Sequence, residues 1–585
     1  MCSQQLYPFF STLLLGLSLR LSTAIVLPFT EYLDSAQAVS VSWGFDNNGG
    51  PITFELTVNT SGWIGFGFSP NGGMAGSDMI IGGIFPNGTQ YFTDRHATGN
   101  TEPLVDNKQD YTLLSWAGNG NSTTLRFKRE LQTCDSDDLP ITDSPIFVIF
   151  AYGLDDVIKF HESRQGGKSI NLLKYTPKLQ ATLDKYFDFK AENFTVPAKA
   201  TFYYCMVLKG PSFSEKNHVI RIEPLIQAGN EDVVHHMVLY ACPVGFTTVM
   251  NGSCYSNTSV PFYKCMTVVA AWAVGGGVIN FPSNAGISFG TSEDPVYYRL
   301  EMHYNNPTLT SGRVDNSGLR FYHTNVLRQY DIGTLQAGIR VDSFFVIPPG
   351  ASSFKAYGLC NTSGFASLLP ESSLEINVFG NLLHTHLAGR AVRVGHFRGG
   401  KQIGFLGENN NYDFNLQDVN YLGDIVPVKV GDEILVECTY NTENRDKLTL
   451  TGLGTTNEMC LAFLLYYPRR SISICQSALN EASLLSSLGA PNVTFAFQSL
   501  ISKIWNKTDI DDFQTLLQQT PQTVSVFNFS LGNNNQVRML PKLQPKYVTV
   551  CREMPYTTPP ASNVGHVFQA ITSWILLMPL LTFSM

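Results

Sequence analysis

The sequence predicts a mostly β protein of several domains, and three observations carry that expectation. The chain has 585 residues, and single hydrophobic cores stop growing near ~250–300 residues, so two or three domains are expected. It holds 49 glycines and 30 prolines with only 15% charged residues, a turn-rich composition that suits short strands better than helical bundles. Its apolar residues alternate in short runs, as in 39–43 and 52–58, which is the period of a strand with one buried face. The net charge of −8 gives nucleic acid no basic footprint.

Residues 1–24 combine the apolar core Leu13-Leu14-Leu15-Gly16-Leu17 with small residues at Ser22-Thr23-Ala24, and read as a secretory signal despite Arg20. Ten cysteines remain once it is removed. Ten Asn-x-Ser/Thr sequons, at Asn59, Asn87, Asn121, Asn193, Asn251, Asn257, Asn361, Asn492, Asn506 and Asn528, fit the same oxidising lumen, where five disulfides are the default. No Cys-x-x-Cys occurs, which argues against a zinc-thiolate site.

Residues 38–152 show short alternating strands separated by glycine turns, as expected of a β-sandwich. Within them, Gly62-Trp63-Ile64-Gly65-Phe66-Gly67-Phe68, Met74-Ala75-Gly76-Ser77-Asp78 and Tyr91-Phe92-Thr93-Asp94 resemble the DOMON domain, a small extracellular sandwich, over residues 36–153. Members of that class bind haem or sugars or serve as inert modules. Met74 and His96 are the only residues here that suit an axial haem pair, and both read as loop residues, so a structural or regulatory role is expected. Residues 168–199 read as a linker.

Beyond it, 201–208 form an aromatic strand, 218–224 another, and 233–242 a third that carries His235 and His236. Neighbouring residues of a regular strand point to opposite faces, so one metal takes both imidazoles only where the strand is bulged or ends. His303 lies in the alternating run 297–304. Farther on, His384 and His386 stand two apart in the apolar run 379–390, a spacing that puts both on one face of a strand. Each histidine by itself reads as an ordinary strand residue. Strands follow at 426–430 and 435–440, and 480–519 reads as helical and amphipathic. At the far end, a Pro/Ser/Thr-rich spacer leads into the apolar run 567–581, which is expected to anchor the chain to a membrane as a single span or through a lipid attached near Ser562.

Five motifs in order, His235-His236-Met237, Leu300-Glu301-Met302-His303-Tyr304-Asn305-Asn306-Pro307, Asp315-Asn316-Ser317-Gly318-Leu319-Arg320, His384-Thr385-His386-Leu387-Ala388-Gly389-Arg390 and Glu458-Met459-Cys460, resemble the type II copper, ascorbate-dependent monooxygenases of the dopamine β-hydroxylase group. The resemblance covers about residues 36–555. It implies two jelly-roll-like β-sandwich copper domains, at 185–315 and 325–490, followed by an extension over 491–560 and the anchor segment at 565–585. It implies two coppers per chain: one held by His235, His236 and His303 that stores and passes an electron, and one held by His384, His386 and Met459 where oxygen reacts. A thioether favours Cu(I) and imidazole suits both oxidation states, so the second set is chemically apt.

The same resemblance implies catalytic roles for Tyr203 and His384, ascorbate as electron donor, and a water-filled cleft between the two sites. It pairs Cys134 with Cys551, Cys205 with Cys254, Cys242 with Cys265, Cys360 with Cys475, and Cys438 with Cys460. A further bridge of the relatives is absent, with Gly364 in place of one cysteine and Met539 near the other, and no interchain disulfide is expected. The implied substrate is a small amine related to dopamine or phenylethylamine, used with O2. Two other readings remain: a catalytically silent, membrane-anchored copper-binding protein, and a dinuclear zinc hydrolase, which would need bridging carboxylates beside His384 and His386 that are not there.

Overall fold

A computed structural model describes residues 26–544 and Cys551, apart from 35, 47–49, 86, 143–144, 174, 176–184, 256–260, 275, 342, 369–374, 416 and 529–531. The signal, Asn257, Ser562 and the apolar run 567–581 therefore lie outside the described residues. Among the described residues, no helix is long and apolar enough to cross a membrane.

Three β-sandwiches follow one another along the chain. The first pairs a five-stranded sheet with a six-stranded one. Their inner faces meet in a core of Trp43, Phe54, Phe66, Phe68 and Phe127, the first four of which lie in runs that the sequence pattern singled out. His96 does not lie in a loop. It belongs to strand Gln90–Ala97, and its Nδ1 bonds to the Asp106 carboxylate.

The expected linker is only partly one. Strand Gln165–Ile170 extends the first sandwich, and strand Tyr186–Lys190 opens the second by pairing with Gly318–Thr324. Phe189, Ala191 and Val196 are core residues there. Polar, proline-punctuated sequence hid these strands because each is short and offers few buried side chains.

In the second sandwich, one sheet runs in the order Met250–Ser253, Thr201–Lys209, Tyr297–Asn305, Val234–Ala241, Thr267–Ala273. Asp315 works as a structural knot beneath it. Fully buried, it accepts hydrogen bonds from the Tyr304 hydroxyl, the Ser317 hydroxyl and the Asn230 amide.

The third sandwich has a four-stranded sheet facing a seven-stranded one, whose order is Asn420–Val428, Ile376–His384, Leu461–Tyr467, Gly333–Ile339, Ile474–Leu479, Gln522–Asn528, Gly532–Arg538. Its last two strands come from the segment expected to be an extension after residue 490. They complete the sheet because Ile474–Leu479 would otherwise expose an unpaired edge beside the buried Cys475. Between them and the preceding strand lie the helices Glu481–Ser487, Val493–Ser502 and Lys507–Gln519, each opened by an asparagine cap (Asn480, Asn492, Asn506) whose side chain accepts a first-turn N–H.

The second and third sandwiches share apolar contacts. Phe379, Leu382, Val419 and Tyr467 of the third are part of the core that the second builds around Ile222, Ala270 and Ile279.

Candidate metal centre

His235 and His236 occupy strand Val234–Ala241, and the pairing register with Tyr297–Asn305 slips between Val234 and His236. That bulge turns both rings to one side of the sheet. His303 is the cross-strand partner of His236, and the Nδ1 atoms of His235 and His303 lie 3.4 and 3.3 Å from Nδ1 of His236. Two nitrogens bound at about 2.0 Å to one ion at a near-tetrahedral angle stand ~3.3 Å apart, so this spacing fits a shared metal. The outer Nε2 atoms of His235 and His303 are buried without a hydrogen-bond partner.

His384 and His386 come together differently from the strand alternation expected. The strand Ile376–His384 ends at the first histidine, and the chain then turns, because its next polar groups find partners outside the sheet. Thr385 gives its N–H to the Tyr412 hydroxyl and receives that hydroxyl's proton at its carbonyl. The N–H groups of His386 and Ala388 both donate to the Glu458 carboxylate, at 2.8 and 2.6 Å. Gly389 closes the turn, where a Cβ would fall 1.7 Å from the Thr385 hydroxyl oxygen. The two rings end 5.1 Å apart at 86°.

Both rings have a fixed proton. Nδ1 of His384 faces Oε1 of Gln417 at 2.8 Å, and Nδ1 of His386 faces the Asn457 carbonyl at 3.1 Å. An oxygen of either kind only accepts, so each imidazole keeps its proton on Nδ1 and leaves Nε2 for a metal. Met459 follows Glu458 directly. Its carbonyl accepts from the Tyr440 hydroxyl, and its neighbour Cys460 is bonded to Cys438.

Burial keeps all five imidazoles neutral. It drives His235 and His386 down to about 3, His236 and His303 well below the usual range, and lowers His384, with mutual repulsion among the rings adding to the effect in all but His384. Neutral, desolvated imidazole is the form that binds a transition metal. Burial also pushes the Glu458 carboxyl up to about 7, against its two backbone N–H donors.

The two sets face each other without the expected water-filled cleft. The His236 and His384 rings are 6.2 Å apart, and His235 stacks on Phe414 with centroids 4.1 Å apart. The apolar contact between the sandwiches draws the halves together and leaves His384 and His386 buried. Tyr203 links the second and third sandwiches, its ring parallel to His303 and its hydroxyl bonded to the Leu453 carbonyl.

The described cysteine bridges are Cys205–Cys254, Cys242–Cys265, Cys360–Cys475 and Cys438–Cys460, and Cys134 and Cys551 are also disulfide-bonded. Of the ten sequons, Asn361 is ill placed to carry a glycan. It is 5% exposed, with its amide donating to Glu433 and accepting from Ser363 N–H. Gln417, Tyr412 and Phe414 carried no signal in the sequence, since they sit in a polar loop without periodicity.

The arrangement gathers three imidazoles, His235, His236 and His303, at one place and two more, His384 and His386, at another. Residues 187–311 match the copper type II ascorbate-dependent monooxygenase N-terminal domain, 330–487 the C-terminal domain of the same family, and 35–153 the DOMON domain. The chain is 41% identical to human DBH-like monooxygenase protein 1 over 80% of its own length and 77% of that protein's. It is 38% identical to mouse DBH-like monooxygenase protein 2 over 91% and 87%. Bovine dopamine beta-hydroxylase is 32% identical over 78% and 76%. The chain belongs to the copper type II ascorbate-dependent monooxygenase family. It is an oxidoreductase of that class, with copper as cofactor and ascorbate as electron donor.

Proposed function

We propose that this enzyme hydroxylates a carbon of a small amine, of the dopamine or phenylethylamine type, with O2. The observation that carries the reading is the pair of histidine sets facing each other across 6.2 Å, one able to hold an electron-storing copper and the other an oxygen-reacting one. In this reading His235, His236 and His303 hold the first ion, and His384, His386 and Met459 the second. Bound copper supplies one-electron redox chemistry. Two ascorbates give one electron each, and with two protons these reduce one oxygen atom to water while the other enters the C–H bond.

The chain's own residues bind, orient and exclude. Fixed Nδ1 protons aim the His384 and His386 lone pairs, Glu458 holds the turn that carries them, and the docked sandwiches keep bulk water from the rings. Tyr203 stacks on His303, with burial raising its pKa and keeping its proton in place. The reaction takes place in the lumen of the secretory pathway, where the disulfides persist, and the run 567–581 attaches the chain to the membrane.

Oxygen uptake by copper-loaded protein with ascorbate, screened over phenylethylamines and over peptide amidation substrates, tests this reading. Uptake coupled to hydroxylated amine is expected. Two bound coppers with no coupled substrate in either series would favour the catalytically silent binding protein.

A further inference from the structure

Gln417 lies in the loop ahead of strand Asn420–Val428, 2% exposed. Its amide has only one workable orientation. The Nε2 donates to the Phe414 carbonyl at 2.7 Å, so Oε1 is the end that meets His384 Nδ1 at 2.8 Å. The loop that carries it is seated on the second sandwich. Gln417 N–H donates to the Val274 carbonyl at 3.1 Å, and Val274 N–H donates to the His235 carbonyl at 2.8 Å. Gly277 N–H reaches the Asp418 carboxylate, and a Cβ on Gly276 would fall 2.8 Å from the Gln417 carbonyl. An unbroken line of hydrogen bonds thus runs from the backbone of His235 to the ring of His384.

We propose that Gln417 is a positioning residue, which holds His384 as the Nδ1–H tautomer with its Nε2 aimed at the metal, and whose own place is set by the opposite half of the enzyme. The imidazole of a histidine with no such acceptor distributes its proton between both nitrogens and turns about its Cβ–Cγ bond. Either change removes a lone pair from the metal's position. The inference rests on the assignment of His384 as a ligand, yet the tautomer it requires is a property of the metal-free protein.

The test compares Gln417→Leu, which keeps the volume and loses the acceptor, with Gln417→Glu, which restores an acceptor. In metal-free protein, nitrogen NMR of the histidine rings should show His384 as Nδ1–H in the wild type and Q417E, and a mixture or Nε2–H in Q417L. Copper titration should then show the affinity of the His384 set about 10–100-fold weaker in Q417L, unchanged at the His235 set, and largely recovered in Q417E. An unchanged tautomer in Q417L overturns the proposal. Equal weakening of both sets also overturns it, since that is the behaviour of a packing residue. A wild type that binds no copper at His384 but loses the Nδ1–H form in Q417L would sink the functional reading and leave the positioning role intact.

Discussion

The ring of Tyr203 lies flat against that of His303, with centroids 4.3 Å apart and planes 5° from parallel, while its hydroxyl donates to the carbonyl of Leu453 at 2.7 Å. One side chain therefore touches a candidate ligand of the first set and the backbone of the sandwich that carries the second. Tyr203→Phe keeps the stack and removes the bond between the halves. We expect unchanged copper content, a stability loss of about 1 kcal/mol in denaturant unfolding, and a turnover loss under about tenfold. A loss of ~10²-fold or more would instead assign the hydroxyl a proton-transfer role.

Elemental analysis of purified protein should give two coppers per chain. His303→Ala should lower this to one, because His303 belongs to the cluster with His235 and His236 and not to the His384 turn. Met459→His should still bind two but turn over poorly, since a harder donor in place of a thioether stabilises Cu(II). Full turnover in that variant would count against Met459 as a ligand.

Glu458 is fully buried and satisfies two backbone N–H groups at once. In Glu458→Gln one of those donors faces an NH2 group, and an unsatisfied buried donor costs ~1–3 kcal/mol. Unfolding by denaturant should show that loss, with copper weakened at the His384 set. An unchanged midpoint would mean that the turn is held without the carboxylate.

Acid should destabilise the metal-free protein through its histidines. Their folded pKa values lie below the unfolded value of 6.5, at about 3 for His235 and His386, so between those limits the unfolded chain binds more protons than the native one. The stability they contribute is fully present above pH ~6.5 and is lost as the pH falls toward ~3. Replacing His386 with Gln should flatten the melting temperature over that window, and an unaltered pH profile would contradict the assignment.

A chain truncated after Tyr556 retains every described strand and all ten paired cysteines. We expect it to be secreted in soluble, copper-binding form, while the full chain stays with membranes. Release of the full chain by a phosphatidylinositol-specific lipase would identify a lipid anchor, and resistance a spanning helix. Retention of the truncated form would place the anchoring surface elsewhere.

Much of this protein is written locally. Alternating apolar residues specify the strands, because burial of one face selects one register. The asparagines at 480, 492 and 506 mark the starts of three helices, because a cap acts within its own first turn. The adjacent histidines at 235 and 236 required an irregular strand if they were to share an ion, and the register slip at that point supplies it.

Tertiary structure alone decided the rest. Gln417 meets His384 across 33 residues of chain, and Tyr203 meets Leu453 across 250, so neither contact leaves a periodicity in the sequence. The His384–His386 pair is shaped by hydrogen bonds from Tyr412 and Glu458, which end the strand where its apolar pattern would have continued it. Residues 522–538 read as an extension, yet an otherwise open sheet edge takes them up. The two histidine sets meet because Phe379, Leu382, Val419 and Tyr467 bury apolar surface against the other sandwich. Burial of that kind is a property of two surfaces at once, and one stretch of sequence carries only its own half of it.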